Sequence, residues 1–359
     1  MGLKKLKEVQ VGMVLEKDVL TPKGQVIAKA GSVLNAQTLL HMSFYNIDEL
    51  DVRENTAPEK EPEKPKHKTM FDRIRESADF KVFEKNYLGE IDNMKSQITD
   101  FVTRSGPLHA DKMLNSTKKL FEGGSTNFGL ITMLHTLRNI DDSTFAHSMN
   151  VSIIARIIGK WLDYPEEDLD KLALAGLIHD IGKAMIPKEI IQKPDRLSPG
   201  EYNIIKKHPE FGYSLLKDEN IAEEIKLATL EHHEKCDGTG YPFKKVRGQI
   251  NGFSSIIAIA DVYDAMTADR CYRAGICPFE VLANLQRNGM DWFPPQYLLT
   301  FLSGIAETYV DCSVVLSDDR TGRIVMIPQA AITRPIIQLD NGEFIALQEH
   351  TNLTIKAIL

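Results

Sequence analysis

The chain has 359 residues, a formal net charge of −7, and 43% hydrophobic and 26% charged side chains, the make-up of a globular protein of two or three domains. The acidic balance excludes a general nucleic-acid binder, because gripping a polymer of phosphates needs a basic surface; it leaves room for a small anionic ligand held by a local Lys and Arg cluster. The cysteines, Cys236, Cys271, Cys277 and Cys312, form no CxxC pair, which excludes a disulfide framework and a zinc knuckle and fits a reducing cytoplasm.

In chain order, Met1–Leu6 is charged and lacks the apolar core of a secretory leader. No apolar run approaches the ~20 residues that a membrane span needs, so a soluble cytoplasmic protein is expected. Residues 1–53 read as a small β-rich module of unknown role. Gly12–Leu15, Val19–Leu20 and Gln25–Ala28 are its expected strands, Pro22-Lys23-Gly24 a turn and Asn35–Leu40 a short helix start. Residues 54–68 are charged, punctuated by proline and almost free of apolar side chains. Such a segment cannot bury a face and reads as a linker.

Residues 69–308 read as a helical domain. Phe83, Tyr87, Ile91, Met94, Ile98 and Phe101 recur at three- and four-residue spacing. Packing on its own bundle is the preferred reading of that stripe, and pairing with a second copy as a homodimer is the alternative. Further helices are expected over Thr144–Leu162, Leu172–Ile181, Pro199–Leu216, Ile221–His233, Ile256–Ala268 and Pro278–Arg287. Residues 309–359 read as a β-rich extension. Its strands are Ser313–Leu316, Arg323–Ile327, Ile336–Leu339 and Glu343–Ala346, with Asn341-Gly342 as a type I′ hairpin turn. The expected fold is therefore mainly α, a helical bundle with small β modules at both ends.

The helical domain holds His147, His179-Asp180, His208, His232-His233 and Asp261. Neutral imidazoles and carboxylates are the ligands that borderline divalent metals prefer. A lone histidine on an apolar helix face, such as His147 or His208, is usually a satisfied core residue. Asp261 ends the apolar run Ile256–Ala260, where a carboxylate has to be paired or coordinated. The whole set together reads as a metal centre built from several helices. Placed on one helix, His179 and Asp180 diverge by about 100°, so both reach a metal only across the groove between them. Lys183 falls on the same face, where a cation suits an anionic substrate.

These residues fall in several motifs: Thr144–Val151 around His147, His179-Asp180-Ile181-Gly182-Lys183, His208-Pro209-Glu210-Phe211-Gly212, His232–Pro242, Asp261–Met266 and Asp269–Arg273. In that order they resemble the HD-GYP family, a branch of the HD phosphohydrolases that hydrolyses cyclic di-GMP. The resemblance covers about Asp141 to Leu302. It implies an HD-type bundle holding two or three divalent metals, often iron or manganese. It assigns His147, His179, Asp180, His208, His232, His233 and Asp261 as ligands, with Asp180 bridging. It puts Lys183 on the scissile phosphate, Gly240-Tyr241-Pro242 beside the substrate, and Arg270 and Arg273 toward the ligand's phosphates and guanines. Where trinuclear members carry a glutamate four residues before the first histidine, this chain has Ser143. A short neutral hydroxyl replaces a carboxylate poorly. Two metals are therefore expected, with Asp142 a weak substitute.

The expected activity is hydrolysis of cyclic di-GMP to pGpG, with GMP as a further product left open. The alternative is a receptor that binds the dinucleotide and acts by docking to a partner; a diguanylate cyclase is the partner that the family suggests.

Overall fold

The computed structural model describes residues 2–6, 9–10, 12–20, 26–34, 38–39, 42, 47, 49–53, 74–103, 106–123, 127–137, 144–193, 197–267 and 277–359. The expected linker 54–68, the turn Pro22-Lys23-Gly24, Asp142, Ser143, Arg270 and Arg273 lie outside these residues, as does most of the expected helix start Asn35–Leu40. The described residues fall into two compact units, one before the linker and one from Ile74 onward.

The first unit is β-rich, as the alternating apolar residues require. Strands β1 (Gly2–Lys5), β5 (Glu49–Arg53) and β2 (Val14–Leu15) pair antiparallel in the order β1-β5-β2, and β3 (Val19–Leu20) pairs with β4 (Val26–Ala28). Leu15, Leu34, Met42, Leu50 and Val52 fill the core between them. The terminal strands β1 and β5 had no expectation in the sequence; the lysines of β1 and the charges of β5 hide their period.

The second unit is mainly α. Helix α1 (Ala78–Val102) starts at Ser77, whose Oγ accepts from Phe80 N, a side-chain cap for an otherwise orphan amide. Its stripe, from Phe80 and Phe83 to Ile98 and Phe101, is buried, so the reading as bundle packing holds. Tyr87 Oη donates to Asn150 Oδ1 at 2.6 Å and Ala146 O at 3.1 Å. Helices α2 (Ala110–Gly123) and α3 (Asn127–Leu137) follow. Next come α4 (Thr144–Trp161), α5 (Glu166–Ile178), a 3-10 turn (Ile181–Met185), α6 (Lys188–Ile191), α7 (Pro199–Ile205), α8 (His208–Leu216), α9 (Glu223–Glu231), α10 (Gly252–Thr267), α11 (Pro278–Trp292) and α12 (Pro295–Glu307). Helix α4 is buried on nearly all sides, from Ala146 to Gly159, which explains its run of Val, Ile and Ala.

Two expected elements differ. The stretch Pro199–Leu216 is two helices, because Lys206 and Lys207 close α7 before His208 opens α8. The stretch Leu172–Ile181 ends as an α-helix at Ile178. Asp180 has φ −97 and ψ 10, and the chain continues as a 3-10 turn.

The unit ends in a five-stranded antiparallel sheet. Its strands are β6 (Ser313–Leu316), β7 (Thr321–Met326), β8 (Ile336–Leu339), β9 (Phe344–Ala346) and β10 (Ile355–Ile358), in the order β10-β6-β7-β8-β9. Its buried Val314, Leu316, Ile324 and Ile337 belong to the same core cluster as the helices. The β8–β9 hairpin is not type I′. That turn needs positive φ at both central residues, and among the described residues only Gly342, at φ +87, has it here. Leu339 N bonds to Glu343 O at 2.8 Å, and Asn341 Oδ1 accepts from Glu343 N. The loop is thus a three-residue one with glycine at the left-handed position.

Candidate metal centre

Five pieces of chain deliver the candidate ligands to one place. His147 stands in the first turn of α4, His179 at the end of α5 with Asp180 next to it, His208 at the start of α8, His232 and His233 at the end of α9, and Asp261 in α10. His179, Asp180, His208 and His232 are buried. The break after Ile178 aims Asp180 inward. A side chain at Gly182 would put its Cβ 2.0 Å from the His208 carbonyl oxygen and 2.4 Å from Gly212 N. Glycine is therefore required where the 3-10 turn lies against α8, and that contact sets His208 beside Asp180.

The two Asp180 oxygens face two groups. Oδ2 lies 3.3 Å from His179 Nε2 and 3.9 Å from His147 Nε2. Oδ1 lies 3.2 Å from His208 Nε2 and 3.7 Å from His232 Nε2. Asp261 divides in the same way, with Oδ1 3.0 Å from His147 Nε2 and Oδ2 3.9 Å from His233 Nδ1. Two ligand sets result, His147-His179-Asp180 and Asp180-His208-His232-His233, the candidate ligand atoms within each lying within 4.8 Å of one another. Asp180 is common to both.

Hydrogen bonds select the ring nitrogen that each buried histidine presents. Nδ1 of His179 lies 2.8 Å from Gly176 O, Nδ1 of His208 2.8 Å from Ile205 O and Nδ1 of His232 2.9 Å from Thr229 O. A carbonyl only accepts, so each Nδ1 carries a proton, and in a neutral ring Nε2 is then the lone pair. His208 Nε2 and His232 Nε2 then face each other at 3.2 Å, a repulsive pair unless a cation lies between them. Among the described residues, His179 Nε2 and Asp180 Oδ1 are buried without a hydrogen-bond partner. Buried orphans are costly. Imidazole lone pairs and carboxylate oxygens converging in this way fit a divalent metal, and the cluster is able to bind one.

Electrostatics separate the residues further. Burial works against the charged form of His147, but hydrogen bonds and charge from Asp261 and Asp264 raise its pKa to about 10. Burial lowers His232 to about 4 and takes His233 well below the usual range, helped by neighbouring imidazoles. Burial would raise the Asp180 carboxyl, yet the Lys183 charge and the histidines hold it well below the usual carboxylate range. Lys183 Nζ is 2.5 Å from Asp180 Oδ2 and partly exposed. It therefore stands between the buried carboxylate and solvent.

The Gly240-Tyr241-Pro242 loop lies against the His232–His233 end of the cluster. The Tyr241 ring stacks on His233 with centroids 4.7 Å apart. A Cβ at Gly240 would meet Lys235 N at 2.4 Å, so only glycine lets the loop close on the helix end. Buried Glu234 accepts from Phe243 N at 2.6 Å and Lys245 N at 2.8 Å, and buried Glu231 from Lys245 Nζ at 2.5 Å and Asn251 N at 2.9 Å. Sequence reasoning gave neither glutamate a role, and nothing in their spacing distinguishes them from surface charges. It also passed over Asp264, whose Oδ2 lies 2.8 Å from His147 Nδ1. The signal was present: Asp264 is three residues after Asp261 and so shares its helix face.

A helical bundle that gathers a buried His and Asp cluster able to hold a metal ion is the class of protein that the fold and site define. The family model described as HD domain matches residues 111–297. A cyclic di-GMP phosphodiesterase of Pseudomonas aeruginosa is 34% identical over 53% of this chain and 46% of its own length. A cyclic di-GMP phosphodiesterase of Borreliella burgdorferi is 30% identical, each chain being covered to 59%. A 3'3'-cGAMP-specific phosphodiesterase of Vibrio cholerae is 38% identical over 40% of this chain and 33% of its own. The chain belongs to the HD domain family, in its HD-GYP branch. It spans about half the length of the curated relatives it matches. Among the described residues no helix is long and apolar enough to cross a membrane.

Proposed function

We propose that this protein hydrolyses a phosphodiester bond of cyclic di-GMP, with pGpG as the main product. The observation that carries the reading is Asp180, whose two oxygens each face a separate set of histidines. Residues 69–308 form the catalytic domain in this proposal, with 1–53 and 309–359 as accessory modules. The ligands are His147, His179, Asp180, His208, His232, His233 and Asp261, holding two ions of iron or manganese. Such ions, when bound, supply Lewis acidity toward a phosphoryl oxygen and lower the pKa of water.

The side chains do the rest. The Nδ1 bonds of His179, His208 and His232 keep three rings from turning, so their donor atoms stay fixed through turnover. Lys183 exchanges its contact with Asp180 for a non-bridging phosphate oxygen and bears charge that grows there. Tyr241, stacked on His233, offers its outer edge to a guanine. Arg270 and Arg273 are proposed for the phosphates and guanines.

The proposal includes a cytoplasmic location, and a diguanylate cyclase partner as a family-level suggestion. A relative named for 3'3'-cGAMP makes that dinucleotide the natural competitor. Chromatography of products from protein loaded with Mn²⁺, or anaerobically with Fe²⁺, tests the reading: pGpG should accumulate from cyclic di-GMP faster than linear product from 3'3'-cGAMP. Metal-replete protein that binds cyclic di-GMP and leaves it intact would sink the proposal.

A further inference from the structure

We infer that Asp264 is a positioning residue: its carboxylate orients the ring of His147 so that Nε2 is the atom turned toward the cation. The inference rests on the two-ion reading of the cluster. Three of the histidines take their orienting partner from a helix end. Gly176 lies in the last turn of α5, Ile205 ends α7 and Thr229 lies in the last turn of α9, and each carbonyl meets an Nδ1. Helix C-termini leave carbonyls unpaired, so a histidine just beyond one finds an acceptor without help.

His147 stands at the opposite kind of place. It lies in the first turn of α4, where unpaired groups are N–H donors rather than acceptors. Its acceptor has to come from another element. Asp264 on α10 supplies it, buried and 2.8 Å from Nδ1. One turn earlier on the same helix, Asp261 stands 3.0 Å from Nε2. The two carboxylates thus hold the ring from both sides; with Nδ1–H committed to Asp264, Nε2 is the nitrogen that would give up its proton and offer a lone pair to a metal. A carboxylate acceptor also makes the imidazole a stronger electron donor than a neutral carbonyl does.

Mn²⁺ titration of metal-free protein tests this, with D264A and D264N beside the natural sequence. D264A should weaken one of two equivalents by about 10- to 100-fold and leave the other within about threefold, the usual effect of losing an outer-shell partner. D264N keeps an amide oxygen that accepts from Nδ1–H and should lose less. Nitrogen-15 spectra of the metal-free histidines supply the second readout. His147 should be protonated at Nδ1 in the natural protein and in D264N, and mixed in D264A. Where D264A is too unstable to titrate, D264N and the spectra decide.

Binding of both equivalents unchanged in D264A overturns the assignment, as does equal weakening of both, or a His147 whose Nδ1 carries no proton in the natural protein. The test is independent of substrate. Selective loss of one Mn²⁺ without cyclic di-GMP cleavage would remove the functional reading and keep this one. Should the natural protein take up fewer than two ions, the two-ion reading fails and the nitrogen-15 spectra still decide the role of Asp264.

Discussion

The two ends of the histidine cluster are built from the same residue type and are electrostatically opposite. At one end His147 is flanked by Asp261 and Asp264, at 3.0 and 2.8 Å, and its pKa rises to about 10. At the other, His208, His232 and His233 crowd one another, with ring centroids of His232 and His233 4.1 Å apart. There burial holds His232 down to about 4. Without metal, one end keeps a proton in the place of a cation, while at the other burial disfavours a proton on His232 and His233. A divalent ion held by these residues would relieve both conditions, taking the place of the His147 proton and supplying the buried imidazole nitrogens with a partner. Neighbours, and not residue identity, decide which of the two states an imidazole takes.

The largest expected effect comes from the residue that both ends share. Asp180→Ala should abolish uptake of both metals and lower turnover by at least about 10³-fold, the loss of several kcal/mol of transition-state stabilisation. Elemental analysis beside a rate assay checks it, and retention of either ion would break the picture of a shared carboxylate. His179→Ala should follow the same direction, with the ion at the His147 end lost first.

Lys183→Ala comes next. Metal content should stay unchanged while the rate falls by about 10²-fold, because a charge aimed at the transition state is lost and no ligand is. Unchanged kinetics would remove Lys183 from the reaction.

The pH dependence of metal-free stability sharpens the contrast between the two ends. His232 has a folded pKa near 4 against 6.5 unfolded. Its contribution is present above pH 6.5 and is lost as pH falls toward 4, because the unfolded chain binds the extra proton. His147, raised to about 10, runs the other way: its contribution is full below pH 6.5 and is lost as pH rises to 10. Melting temperatures of the metal-free protein should therefore peak near pH 6.5, and His147→Gln should flatten the alkaline limb alone. A limb unchanged by that substitution would contradict the assigned neighbours.

The smallest effect is expected at the loop. Tyr241→Ala should raise KM for the dinucleotide about tenfold with little change in kcat, as loss of one base-stacking contact implies. A fall confined to kcat would place Tyr241 nearer the reacting atoms than its stacking on His233 suggests.

Much of the site was legible because metal ligands are chemically rare in apolar helices. His179-Asp180, His232-His233 and an aspartate in the run Ile256–Asp261 stand out on composition alone. Lys183 was legible from its spacing to Asp180, and the two meet at 2.5 Å although Asp180 lies past the helix end and not within it. The division of the Asp261 oxygens between His147 and His233, the acceptor at Asp264 and the loop anchors Glu231 and Glu234 were not legible. Each depends on an atom from a segment distant in sequence, and a buried carboxylate looks like a solvated one until its partners are known. The hairpin shows a smaller case: Asn341-Gly342 marked the turn, but pairing across Leu339 and Glu343 selected its type.

The order of residues by itself determined that this chain is mainly helical, that β segments stand at both ends, and that imidazoles and carboxylates recur along the helical part. Those are local properties, set by side-chain period and by the cost of burying polar groups. Tertiary structure alone decided which nitrogen of each ring points inward, which carboxylate oxygen faces which histidines, and where protons stay. Hydrogen bonds and charges act through space over a few ångströms, and only packing brings α4, α5, α8, α9 and α10 within that reach.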